Sequence, residues 1–294
     1  MTDRSLRSRA ATLPARALIA LAQHLPYRMR LALGSALLRG AVALVPRLRA
    51  RVENNLRLIF PEMPVGERRR IRRAMADNFG RTFTEILSNP SFHGRGYWIP
   101  PEPGPGTEAI LHAAREGSGA VLVTGHFGQW EAGRAWMKSS GIACAGVYRP
   151  LDEPELNAIY LENLEFGGTP IFPKSRRGVR GIVAHVARGG IVAILTDQFE
   201  RRGAALDFIG HPAPTALVPA ELAFRSKLPL VPIYGIRQLD GLHVQVVVEP
   251  PIPHSTVPEM MQAVNDSLAA QVRAHPGQYY WLHRRWVKRF AAPR

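Results

Sequence analysis

The chain has almost nothing to cross-link itself with. A single cysteine, Cys144, stands in 294 residues, which excludes an intramolecular disulfide and a zinc site built on cysteines. It falls inside an apolar run, where a small buried residue is expected, and nothing in the cysteine usage calls for an oxidising compartment. Long apolar runs are missing too. The nearest approach to a bilayer span, Leu31 to Pro46, is short of the required length of about 20 residues and carries Arg39. Near the start there is only a weak apolar section, Ala17 to Ala22, with no clear cleavage site, so no signal peptide is expected.

Several motifs are absent as well. There is no phosphate-binding Walker loop, no dinucleotide glycine fingerprint opening a βαβ unit and no Gly-x-Ser-x-Gly elbow. Internal repeats, low-complexity tracts and nucleic-acid motifs are lacking. No His/Glu cluster has the spacing of metal ligands, so neither a metal nor a cofactor is expected. With no convincing serine or cysteine nucleophile, direct attack by a substrate hydroxyl is the simplest scheme for any transfer reaction.

Acidic residues are scarce relative to basic ones, and unevenly so. The formal net charge is +15, and residues 1–100 hold eighteen Arg, no Lys and only six acids. The C-terminal end adds Arg284, Arg285, Lys288, Arg289 and Arg294 with no acid. Such a surplus points to an anionic partner: a membrane surface, an acidic ligand or nucleic acid. A solvated Arg-rich face is the bland alternative.

Residues 13–88 read as helical. Leu18, Leu21, Leu25, Met29, Leu33, Leu37, Val42 and Val45 recur at roughly helical spacing, with breaks at Pro26 and Pro46. Arg28, Arg30 and Arg39 lie between them, as in a pair of amphipathic helices at a membrane interface. A hairpin packed on its own domain fits the same pattern. A third helix is expected over about Val65 to Leu87, opening on the basic run Arg68-Arg69-Arg70-Ile71-Arg72-Arg73.

After a Gly/Pro-rich stretch at 94–106 the pattern changes. Short apolar strands, Ala120–Val123, Ile142–Tyr148, Thr169–Phe172, Ile191–Thr196, Leu230–Gly235 and His243–Val248, alternate with amphipathic segments. Helices are expected at Thr107–Glu116, Ala132–Lys138, Glu155–Phe166, Gly178–Arg188, Pro214–Arg225 and Val257–Ala274. This alternation predicts an α/β fold with a mostly parallel sheet flanked by helices, preceded by the amphipathic helical region. The division is a helical, membrane-associating region at 1–95 and an α/β catalytic domain at 96–294, together one continuous folding unit.

The stretch Thr124-Gly125-His126-Phe127-Gly128-Gln129-Trp130-Glu131 places a histidine just past a strand, with a carboxylate five positions on. A base that takes a proton, with an acid to orient it, needs these residue types. The spacing alone means little, because chance supplies it in a chain of this composition and it recurs at His254 and Glu259. Context separates the two copies. His126 follows an apolar run and is flanked by Gly125 and Gly128, expected to admit a ligand close to the backbone. A helix beginning near Trp130 would aim its amides at the same place. His254 sits between prolines. Two further strand ends, at Arg149 and at Asp197, should converge on the His126 side in a parallel sheet. Arg149 could bind a phosphate or carboxyl, or pair on the surface. Asp197 could orient a basic group or shape the pocket, or cap the following segment.

Six stretches, taken in order, make a more specific pattern. They are Leu25-Pro26-Tyr27-Arg28, Asn54-Asn55-Leu56-Arg57-Leu58-Ile59-Phe60-Pro61, Gly125 to Glu131, Tyr148-Arg149-Pro150, Thr196-Asp197-Gln198 and Gln278 to Trp286. The chain resembles the bacterial late acyltransferases of lipid A biosynthesis, a family that also includes lysophospholipid acyltransferases. The resemblance implies a glycerolipid-acyltransferase-like fold. It implies transfer of an acyl chain from acyl-carrier protein, or coenzyme A, to a hydroxyl of an anionic membrane lipid at the cytoplasmic face of the inner membrane. It implies His126 and Glu131 as the catalytic pair, Glu131 holding the imidazole, with Arg149 as a substrate contact. A lipid A precursor is the expected acceptor, a lysophospholipid or lyso-ornithine lipid the alternative. Peripheral or monotopic attachment through the N-terminal hairpin is expected. The non-enzymatic alternative is a basic membrane- or nucleic-acid-binding module.

Overall fold

The computed structural model describes residues 13, 16–17 and 19–286. Leu18 and the basic residues Lys288, Arg289 and Arg294 lie outside this set. Helix α1 (Tyr27–Leu44) starts directly after Pro26 and ends at Val45. The residue before a proline is pushed out of the helical region, and Pro46 then opens α2 (Pro46–Ile59), where its missing N–H costs nothing. The two axes meet at 86°. No single helix among the described residues is long and apolar enough to cross a membrane. Helix α3 (Val65–Ile86) packs on α1 so closely that a Cβ on Gly80 would lie 2.4 Å from the Gly34 carbonyl oxygen.

A short helix α4 (Asn89–Gly94) leads into the Gly/Pro-rich stretch, and strand β1 (Trp98–Ile99) lies within it. Then come α5 (Pro105–Glu116), β2 (Ala120–Thr124), α6 (Ala132–Ser139), β3 (Cys144–Tyr148), α7 (Pro154–Gly167) and β4 (Ile171–Pro173). They are followed by α8 (Arg176–Val186), β5 (Ile191–Leu195), β6 (Ala204–Phe208), β7 (His211–Thr215), α9 (Val218–Ser226), β8 (Leu230–Arg237), β9 (Val244–Val248) and α10 (Val257–Ala274).

Seven strands form one sheet in the order β1-β9-β8-β2-β5-β3-β4. The run β8-β2-β5-β3-β4 is parallel, and the β8–β9 pair is antiparallel. All five residues of β2 are buried, as a central strand covered by helices on both faces requires. Hence the carboxyl ends of β2, β3, β4 and β5 share one edge, where such sheets bind ligands. Cys144 is buried in β3, and burial pushes its thiol up to about 12.

One element differs from the sequence pattern. The helix expected from Pro214 starts only at Val218, because residues 204–215 form an antiparallel hairpin, β6–β7. Pro212 and Pro214 argue against a strand in a sheet interior, but both strands of a two-stranded ribbon are edges, where proline's missing donor is tolerated. The N-terminal helices share a core with the sheet side: Val52, Leu56, Phe79, Phe127, Leu268 and Trp281 pack in one cluster.

Candidate active site

Residues 125–131 leave β2 through a tight turn clamped from three sides. The amide of Gly128 donates to the Gln278 carbonyl at 2.8 Å, and that of Gln129 to the Gly235 carbonyl at 2.8 Å. Asn78 and Thr82 of α3 donate to the Gly128 carbonyl at 3.1 and 2.9 Å. From the C-terminal segment, Tyr280 N–H donates to the His126 carbonyl at 3.0 Å. Gly128 has φ +53°, and a Cβ there would lie 1.8 Å from the Gly235 carbonyl oxygen. Its freedom therefore serves contact with β8. A Cβ on Gly125 would meet the Leu268 side chain at 2.7 Å. Both glycines admit protein, where the sequence suggested a ligand. The amides of Glu131 and Ala132 are likewise taken, by the side chain and carbonyl of Gln129.

The imidazole of His126 is turned towards the end of β5. Its Nδ1 lies 2.8 Å from Asp197 Oδ1, and the two side chains are 15% and 0% exposed. Burial pushes the Asp197 carboxyl up, but the charge and hydrogen bond of His126, helped by His283, outweigh it and hold the group far below the usual carboxylate range. The Asp197 carboxylate stands behind the imidazole, away from the substrate-sized cavity described below. Thus the carboxylate in contact with His126 is that of Asp197, where the family resemblance implied Glu131.

Glu131 makes no hydrogen bond to His126 among the described residues. Its Oε2 instead accepts from Arg134 Nη1 at 2.7 Å, both side chains being buried. Arg134 Nη2 in turn donates to the carbonyls of Leu164 and Gly168 at 3.0 and 2.7 Å. Glu131 stands at the N-terminal cap of α6 and Arg134 one turn on, so the pair forms along one helix face and ties it to α7. Five residues of a turn and helix start carry the Glu131 side chain away from the ring it was expected to hold.

His126, Glu131 and Arg149 all line a cavity of about 700 Å³ along the shared strand edge. Its other walls are largely apolar, with Phe83 and Ile86 of α3, Leu164 of α7 and Ile182 of α8. The size suits a small-molecule site. Arg149 is exposed at the lip and makes no ion pair among the described residues.

Two further residues touch the imidazole, neither given a role by the sequence. Trp130 packs edge-on to His126 at 5.2 Å and is backed by Phe79 and Phe83. His283 stacks edge-to-face on the same imidazole at 4.5 Å, and burial, with the charge of His126, pushes its pKa down to about 4. It lies in the Gln278–Trp286 stretch, which sequence comparison noticed without giving His283 a role. His126, Asp197 and His283 place ligand-type atoms within 4.8 Å of one another. The 2.8 Å contact between His126 and Asp197 is a hydrogen-bond distance, shorter than the separation of two ligands about 2.0–2.1 Å from one tetrahedral zinc ion.

A base–acid pair at the wall of an apolar cavity fits acyl transfer, and the family comparison agrees. The model described as "Bacterial lipid A biosynthesis acyltransferase" matches residues 5–288. The chain belongs to this family. It is an acyltransferase, similar to the lipid A biosynthesis lauroyltransferase of Escherichia coli K12, with 28% identity over 90% of this chain and 87% of that protein. Phosphatidylinositol mannoside acyltransferases are similar too. That of Mycobacterium tuberculosis H37Rv is 24% identical over 73% of this chain and 69% of its own length. That of Mycolicibacterium smegmatis is 24% identical over 60% of each.

Proposed function

We propose that this acyltransferase moves a fatty acyl chain from the thioester of acyl-carrier protein to a hydroxyl of a lipid A precursor, with His126 as general base. The observation that carries this reading is the 2.8 Å contact between His126 Nδ1 and the buried Asp197 carboxylate, beside the apolar cavity. Asp197 fixes the tautomer with the proton on Nδ1 and stabilises the imidazolium once it forms. Nε2 is left to act on the substrate. It takes the proton of the acceptor hydroxyl, whose oxygen attacks the thioester carbonyl carbon. The tetrahedral intermediate collapses as the C–S bond breaks, and the imidazolium returns the proton to the departing sulfur. A base of this kind contributes roughly 10²–10⁴-fold.

The apolar cavity receives the acyl chain. Glu131 acts there through Arg134: the pair holds α6 against α7 and shapes the cavity wall. Arg149, unpaired at the lip, binds an anionic group of donor or acceptor. No metal or cofactor takes part in this scheme.

Peripheral attachment to the cytoplasmic face of the inner membrane is part of this reading, and the bent pair α1–α2 supports it. Met29, Leu37, Leu44 and Val45 are exposed there, with Leu44 at 83%, and Arg28, Arg39, Arg47 and Arg49 lie among them. Apolar side chains entering the interface with arginines at the phosphates would hold the protein peripherally. A mannosylated inositol phospholipid is a second acceptor class, favoured by the names of the mycobacterial relatives.

The test is transfer of a radiolabelled acyl group to each acceptor by the wild-type protein and by His126→Ala. Loss of transfer with folding and vesicle binding intact is the expected result, and undiminished turnover overturns the reading. Lipid mass spectrometry of a deletion strain then separates the acceptors by which lipid lacks one acyl chain.

A further inference from the structure

The lip of the cavity is basic, and its cations come from separate parts of the chain. Arg149 follows β3 and Lys174 follows β4. The Lys174 amide donates to the Tyr148 carbonyl at 2.7 Å, so the two basic residues stand side by side on adjacent strand ends. Lys174 Nζ reaches Glu200 at 3.6 Å, which brings Arg201 to the same rim. From Lys174 the chain runs straight into α8, whose first residues include Arg176, Arg177 and Arg180. All six basic residues are exposed. The five arginines have no acidic partner among the described residues, and α8 contains no acid.

The same helix offers an apolar contact. Val179 and Val183 are exposed at 40% and 48%, and Val179 also lines the cavity. So one helix carries free cations and apolar side chains outward while its Val179 and Ile182 form part of the cavity wall. A bilayer is a poorer match for this face. Met29, Leu37 and Leu44 gather exposed apolar surface on α1, whereas among the described residues Leu151 is the one large exposed apolar residue beside Arg149 at the cavity lip. A free nucleotide thioester would occupy only part of a rim spread over two strand ends, a loop and a helix.

We infer that the rim formed by Arg149, Lys174, Arg201 and the first turns of α8 is the docking surface for an acidic carrier protein that presents the acyl thioester on an extended arm. Arg176, Arg177 and Arg180 meet carboxylates of the carrier, Val179 and Val183 pack on its apolar side chains, and the arm enters the cavity beside Val179. Complementary charge of this kind steers the encounter and fixes orientation. The inference rests on the proposed acyl transfer and adds the surface that selects the donor.

The experiment compares the wild type with Arg176→Glu/Arg177→Glu/Arg180→Glu, using acyl-carrier-protein and acyl-pantetheine donors in detergent with one acceptor. The triple variant should raise KM for the carrier-bound donor about tenfold or more, since steering charges commonly alter association by that order. Its transfer from acyl-pantetheine should match the wild type, and the salt dependence of kcat/KM with the carrier should flatten. Equal loss with both donors, or no change with either, overturns the inference. So does loss of anionic-vesicle binding with carrier-dependent transfer unaltered, which would make the rim a lipid surface. Carrier binding is also measured on His126→Ala protein with and without the three reversals. Weaker binding on reversal supports docking even if the base assignment fails, and equal binding overturns it.

Discussion

The chain carries a His-x4-Glu spacing twice, and in neither copy do the two side chains hydrogen-bond to each other. At the first, His126 faces Asp197 and Glu131 faces Arg134. At the second, His254 Nε2 lies 2.9 Å from the Leu228 carbonyl, and Glu259 closes a capping box with Thr256 at the start of α10. In the second copy the glutamate serves to begin a helix, and the histidine meets a backbone carbonyl 26 residues back. The first pairs His126 with an acid 71 residues away and Glu131 with Arg134, and His126, Glu131 and Arg134 line a cavity. What distinguishes them is the tertiary environment: a sheet edge where β2, β3 and β5 end together, against an exposed loop.

The largest difference should appear in activity. His126→Ala is expected to lower kcat by about 10²–10⁴-fold, while His254→Ala, measured in the same transfer assay, leaves it nearly unchanged. Equal effects would remove the distinction. Asp197→Asn sharpens it further. The wrong tautomer of His126 should cut kcat by about 10²-fold or more with little change in KM, since the ring is misoriented only for proton transfer. A mutant with normal kcat would return the orienting role to another acid.

Stability should separate the two glutamates. Glu131→Ala leaves the buried Arg134 cation without its carboxylate, a loss of about 3–5 kcal/mol, read as a lower midpoint in chemical denaturation. Glu259→Ala removes only one arm of an exposed cap, and its midpoint should shift slightly. The smallest effect is in pH dependence. His283 is held down to about 4 when folded, against an ordinary value of 6.5. The unfolded chain therefore binds more protons between those values, so the stability from the neutral ring is full above about 6.5 and is lost as pH falls towards 4. His283→Gln should flatten the acid limb of a stability–pH profile. His93, also pushed down to about 4 by burial and the charges of Lys138 and Arg134, leaves part of that limb in place.

Much of the fold could be read locally. Pro26 and Pro46 bound α1 because proline restricts its predecessor and suits a first helical position. The start of Val257–Ala274 is encoded by Thr256, Pro258 and Glu259, a capping pattern contained in four adjacent residues. The hairpin at 204–215 was missed because two prolines obscure a strand that is stable only as an edge. The site was half legible. A strand followed by Gly-His identified His126, and strand ends identified Arg149 and Asp197. The interval of 71 residues between His126 and Asp197 hid their contact, and the nearer acid was expected beside the ring instead. His283 has no local mark, since it acts on His126 only through the fold of the C-terminal segment over the turn.

By itself, the sequence determined the alternation of strands and helices, the basic surplus, the family and the histidine at the end of β2, because each is written in hydrophobic period, charge or contiguous motif. Only the tertiary structure decided which acid contacts that histidine, what the flanking glycines are packed against and where the cations of the lip gather. Those are questions of distance in space, answered by β2–β5 adjacency, by the closeness of Gly128 to Gly235 and by the β3–β4 register that seats Arg149 beside Lys174.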